Sequence, residues 1–215
     1  MMTELYHFLH ATAASPGAST YRGFLYERGV VIPLLAHGDG RHGRVKLVIE
    51  KLSPARSAAA RGQTLLQTCD LDVGRFPLIP YATTEELQAE WAKDGKDAIF
   101  VPWNTNFPVV DFVLRIEGQA LLANATLSVS HGIKAHNATF AKVVRAVGLG
   151  GEVEVPFLWF LDEPAFKGFT KPGKVDTEGT DLPTGIDGLL AQYKVQLKVP
   201  GRGVVMPAAA VSSTS

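Results

Sequence analysis

Pro108-Val109-Val110-Asp111-Phe112-Val113-Leu114-Arg115-Ile116-Glu117-Gly118-Gln119-Ala120-Leu121-Leu122-Ala123-Asn124-Ala125-Thr126-Leu127-Ser128-Val129 is the stretch on which the fold turns. Pro108 to Glu117 and Gln119 to Val129 are apolar, strand-like runs either side of Gly118, and read as an antiparallel hairpin. Asp111 is a lone carboxylate on the first apolar run; Asn124 and Thr126 are polar positions midway along the second. A carboxylate among apolar neighbours is costly to bury without a partner or a metal. The hairpin therefore marks both a sheet and a candidate site.

Working outward, Ala98 to Trp103 is a short apolar strand. Lys134 to Val147 reads as a helix ending at Gly148 and Gly150-Gly151. Val153 to Leu161 is nearly all apolar, the pattern of a buried strand. Leu182 to Leu190 reads as a short helix and Gln192 to Val199 as a closing strand. Upstream, Thr20 to Ala36 places Tyr21, Leu25, Val31 and Leu35 near helical spacing after a Ser19 cap, with Pro33 interrupting the last turn. Arg44 to Leu52 reads as a strand, and a Ser/Ala/Arg-rich connector follows through Gly62. Thr83 and Glu86 form a capping box for a helix running to about Lys93. The order helix, strand, helix, three strands, helix, strand, helix, strand predicts an α/β sandwich with a mixed sheet. One domain over 19–199 is expected, with an N-terminal extension at 1–18 and a disordered Gly/Pro/Ala/Ser-rich tail at 200–215.

The chain has 215 residues, 46% apolar and 20% charged, with Lys+Arg equal to Asp+Glu. That excludes a disordered chain and a global positive field for nucleic acid, leaving any such contact to a local patch. The single cysteine, Cys69, excludes a disulfide framework and a cysteine-based zinc site. No secretory signal is read, and no window reaches the roughly 18 to 20 apolar residues of a membrane span, so an intracellular protein without a membrane partner is expected.

Glu27 on the first helix and Asp111 on the hairpin are the carboxylates that together could hold Mg²⁺. The plainer reading caps Asp111 with backbone amides or an arginine and leaves Glu27 in solvent. Asn124 and Thr126 are neutral and weaker hard-ion ligands; cross-strand hydrogen bonding accounts for them as well as function does. His131, at the strand end, is a candidate base or phosphate contact, or a cap. Lys134 and Lys142 follow on the next helix. His131 and His136 lack zinc spacing with a third ligand, and Gly148-Leu149-Gly150-Gly151 follows a helix, the reverse of a dinucleotide loop. Trp103, Phe107 and Trp159 read as core or rim aromatics rather than stacking platforms, and no serine or cysteine triad is suggested.

These residues resemble the restriction-endonuclease-like domain of Crinkler effectors and retrotransposon hot spot (RHS) proteins. Gly23-Phe24-Leu25-Tyr26-Glu27 is similar to the family's Gly-x-Leu-Phe-Glu helix, and Pro102 through Asp111 to its Pro-x-x-x-Asn-Phe-Pro-x-Ile-Asp segment. Leu122 to Thr126, with Ser128 and His131, resembles its Leu-Phe-Gln-x-Thr strand and following histidine. Val155 to Phe169 and Ala191 to Leu197 resemble the last two elements. The resemblance spans roughly residues 20 to 199 and implies an α/β/α sandwich around a mixed central sheet, with a PD-(D/E)xK-type site. It implies Glu27 and Asp111 as ligands of Mg²⁺ or Mn²⁺, DNA as the partner, and action in a nucleus if the chain is an effector. Asn124 stands at the family's glutamine position, and Thr126 where the wider superfamily carries lysine. A metal-dependent nuclease, an inactive nuclease-like binding module and an unrelated ligand-binding domain all remain open on sequence.

Overall fold

The computed structural model describes residues 23–37, 44–52, 66–72, 76–93, 95–103, 110–128, 133–134, 138–149, 155–173, 175–176 and 190–198. Its elements are α1 (23–37), β1 (Arg44–Lys51), β2 (Leu66–Asp72), β3 (Leu78–Tyr81), α2 (Thr84–Ala92), β4 (Ala98–Pro102), β5 (Phe112–Ile116), β6 (Gln119–Thr126), β7 (Ile133–Lys134), α3 (Ala138–Ala146), β8 (Val155–Leu161), α4 (Glu163–Gly168), β9 (Val175–Asp176) and β10 (Leu190–Lys198). Eight strands form one mixed sheet in the order β2-β1-β10-β8-β6-β5-β4-β3; β7 and β9 pair separately.

The expected hairpin is present: β5 and β6 pair antiparallel from Phe112↔Ala123 to Ile116↔Gln119. Its two-residue turn has φ of 51° at Glu117 and 77° at Gly118. Positive φ at both positions matches the right-handed twist of the flanking strands. Asp97 Oδ1 accepts the Glu117 N–H at 2.7 Å and pins the turn. α3 carries the chain from β6 to β8, which runs parallel to both β6 and β10. Lying between them with helices on both faces, β8 is apolar almost throughout, as its sequence predicts.

Alternate residues of the central strands β4, β5, β6 and β8 feed two cores. Phe112, Leu114, Ala123, Ala125, Leu158, Phe160 and Val195 pack beneath Val31, Ile32, Leu34 and Leu35 of α1. Val113, Leu122, Phe157, Trp159 and Leu161 pack on the other face with Leu87 of α2, Phe140 and Val143 of α3, and Ala165 of α4. The result is an α/β/α sandwich around a mixed sheet. Burial of each large side chain stabilises it by about 1.5–3 kcal/mol.

Several elements depart from the sequence reading. β2 and β3, the two edge strands, were not expected, nor were α4, β7 and β9. The helix read from Lys134 begins at Ala138, because Ile133 and Lys134 pair with Val175 and Asp176. The helix read over Leu182 to Leu190 falls outside the described residues until Leu190, which opens β10. The extension and tail, and most of the connector after Leu52, also lie outside them.

Candidate active site

The ladder between β4 and β5 ends at Phe100↔Val113, so Pro102 and Asp111 lie beyond its last pair, on either side of a notch in the pairing. This notch lies at the carboxyl ends of β3, β4, β6 and β8, the side on which open α/β sheets bind ligands. β3 ends there at Tyr81, paired with Pro102.

α1 supplies the other carboxylate through an irregular turn. Glu27–Val31 is a π-helical segment in which the N–H of Ile32 reaches Glu27 O. Pro33 explains it: the imino acid brings no N–H to the ladder, and a widened turn moves aside the carbonyls its ring would meet. Side chains of consecutive residues diverge less on a wider turn, and Glu27 and Arg28 both reach the sheet end. Arg28 Nε lies 2.6 Å from Glu27 Oε1, and its Nη2 donates to the carbonyl of Pro102 at 3.1 Å.

Asp111 is fixed by the hairpin. Its N–H is shared between Ala123 O and Asn124 Oδ1, each at 2.9 Å, and its Oδ2 accepts the Ala125 N–H at 2.7 Å. Burial, and then the negative charge of Asp111, push Glu27 up to about 8 against the opposing pull of Arg28. Burial likewise raises the Tyr81 phenol, which feels the charges of Arg28 and Asp111. Glu27, Arg28, Tyr81 and Asp111 thus form one electrostatic cluster.

Of the residues singled out from sequence, Glu27, Asp111 and Asn124 come together. Asn124 serves the cross-strand role. Thr126 is buried at the end of β6, and its Oγ1 accepts the Ser128 N–H at 3.1 Å. His131 lies outside the described residues, and Lys134 falls on β7. Lys142 is on α3, lining with Thr84, Glu85, Gln88 and Arg145 a shallow cavity of about 180 Å³ between α2 and α3. Arg28 and Tyr81 were not foreseen. The sole sequence signal for Arg28 was its place beside Glu27 and ahead of Pro33.

The donor set suits a hard divalent cation in kind: two carboxylate side chains lie together, and burial and Asp111 raise the proton affinity of Glu27 even against the pull of Arg28. Among the described residues no third histidine, cysteine or carboxylate joins these two. No helix among them is long and apolar enough to cross a membrane. Comparison of the chain with protein-family models, curated proteins and solved structures returned no match.

Proposed function

We propose that this chain is a Crinkler/RHS-type nuclease-like domain that hydrolyses phosphodiesters of DNA at the notch between β4 and β5, in whichever cell compartment holds that DNA. The observation that carries the reading is the convergence of Glu27, from α1, and Asp111, from the mouth of the hairpin, close enough for one to raise the proton affinity of the other. Two carboxylates held against their mutual repulsion are typical of sites that bind cations or move protons.

Glu27 and Asp111 would hold Mg²⁺ or Mn²⁺, which when bound supplies an activated water and neutralises charge on the phosphate. The remaining work falls to the chain itself. The Ala125 amide fixes the direction of the Asp111 carboxylate, and Asn124 holds the Asp111 backbone amide. Arg28 offers a permanent positive charge for a phosphate oxygen, supplying what neutral Thr126 lacks at the lysine position. Being always protonated, it cannot serve as the base.

Arg28 also favours a second reading. A guanidinium already paired with Glu27 is a built-in countercharge, as expected of an inactive scaffold kept for binding. Incubating plasmid and single-stranded DNA with Mg²⁺ or Mn²⁺, beside Asp111→Ala and Glu27→Gln, separates the two. Metal-dependent cleavage lost in both variants supports the nuclease; wild-type protein that binds DNA without cutting it supports the scaffold.

A further inference from the structure

Trp103 is 73% exposed, far more than Phe24 (39%) or Leu78 (41%), the other large exposed apolar side chains among the described residues. An indole left in water at such exposure forgoes a large burial gain. Its backbone is nonetheless firmly held: the Trp103 N–H donates to Tyr81 O at 2.7 Å, beyond the last β3–β4 pair. The residue directly before it, Pro102, accepts Arg28 Nη2. An exposed indole on a held backbone, and a guanidinium suited to a phosphate oxygen that bonds the preceding residue's carbonyl, therefore come to adjacent positions at the end of β4. Phe24 stands on α1 one turn before Glu27 and Arg28, adding a second apolar side chain to the same helix end.

We infer that Trp103 is a stacking platform for an unpaired nucleobase, which makes the substrate class single-stranded DNA or duplex DNA with frayed or flipped bases. The inference rests on the nuclease reading of the notch and sharpens it. A base inside a duplex hides its faces, whereas an unpaired base offers one to an indole regardless of sequence. Arg28 takes the backbone charge while Trp103 takes the base.

The test measures binding of labelled oligothymidylate, and of an abasic oligomer of equal length and charge, by anisotropy in chelator. Wild type, Trp103→Ala and Trp103→Tyr are compared. Wild type is expected to prefer thymidylate by about five- to hundredfold. Trp103→Ala is expected to lose that preference with abasic binding unchanged, and Trp103→Tyr to keep part of it. A preference that is absent in wild type or intact in Trp103→Ala overturns the inference. So does a dimer, seen in sedimentation without DNA, that Trp103→Ala turns into a monomer, since the indole would then be a protein contact. Cleavage of the same oligomers with Mg²⁺ is read separately. Cleavage without base preference defeats stacking alone; Trp103-dependent preference without cleavage defeats hydrolysis alone.

Discussion

Asn124 Oδ1 accepts the N–H of Asp111 at 2.9 Å while Asp111 Oδ2 accepts the neighbouring Ala125 N–H at 2.7 Å, so each strand of the hairpin holds the other's polar group. Asn124→Ala leaves the Asp111 amide its bond to Ala123 O. The expected cost is therefore modest, about 1 kcal/mol and roughly 2–4 °C in Tm. The proposed cleavage is expected to fall by more than that stability loss explains, because the backbone that carries the Asp111 carboxylate loses one of its two holds. Thermal melts and cleavage rates measured together check the pair; equal cleavage would make the clip purely structural.

Glu27→Gln is expected to change how stability depends on pH. The carboxyl titrates near 8 folded against 4.5 unfolded, so between those values the folded state binds more protons and stability falls as pH rises. At about 1.4 kcal/mol per unit, a few kcal/mol are lost by about pH 8. Glutamine removes that loss. The variant should be more stable than wild type above pH 8 in chelator, and no different from it below pH 4.5 on this account. Denaturant titrations across that range decide, and parallel curves at every pH would show that Glu27 ionises normally.

Arg28→Ala withdraws the one guanidinium shown against Glu27 and the Pro102 carbonyl. Partial exposure limits the expected destabilisation to about 1–3 kcal/mol at neutral pH. With its countercharge gone, the carboxylate pair should draw more stabilisation from millimolar Mg²⁺ or Mn²⁺ than the wild-type pair does. Melting with and without the metal measures this. Identical metal responses in variant and wild type would remove Glu27 and Asp111 as joint ligands.

Gln192→Ala tests stability away from the site. Gln192 Oε1 accepts Trp159 Nε1–H at 2.9 Å and the Gly173 N–H at 2.7 Å, while its Nε2 donates to Gly173 O at 2.9 Å. Truncation removes all three bonds from the core, at about 3 kcal/mol or more. Urea unfolding should show a lower midpoint while cleavage under native conditions stays near wild type; lost cleavage in a folded variant would tie this network to the notch.

What could be read from sequence follows from how local each signal is. The hairpin announced itself through Gly118 and its apolar runs, β8 through an unbroken apolar stretch, and α2 through Thr83, whose Oγ1 accepts the Glu86 N–H at 3.2 Å. Leu78–Tyr81 escaped because Pro80 argues against a strand, yet β3 is an edge strand, where a missing N–H is tolerated. Leu66–Asp72, at the opposite edge, is too polar in sequence to stand out. Pro164 hid α4 in the same way, though it occupies the first turn behind the Asp162 cap, where no intrahelical donor is needed. Within the site, the unusual carboxylates were visible as residues. Arg28 and Tyr81 were not, since a charged helix residue and a strand tyrosine earn their places only when distant segments meet.

The widened turn ahead of Pro33 makes the placement of Glu27 hostage to a side chain that carries no charge and makes no polar contact. Change Pro33 to alanine and the ladder regains its missing donor, α1 is free to rewind tightly, and everything on the amino side of the defect rotates against the sheet. Two residues whose chemistry is intact would then face the wrong way. In this chain the acid pair is therefore inherited through an imino ring as much as through the acids themselves, and descendants that lose the ring would keep the letters of the site without its geometry.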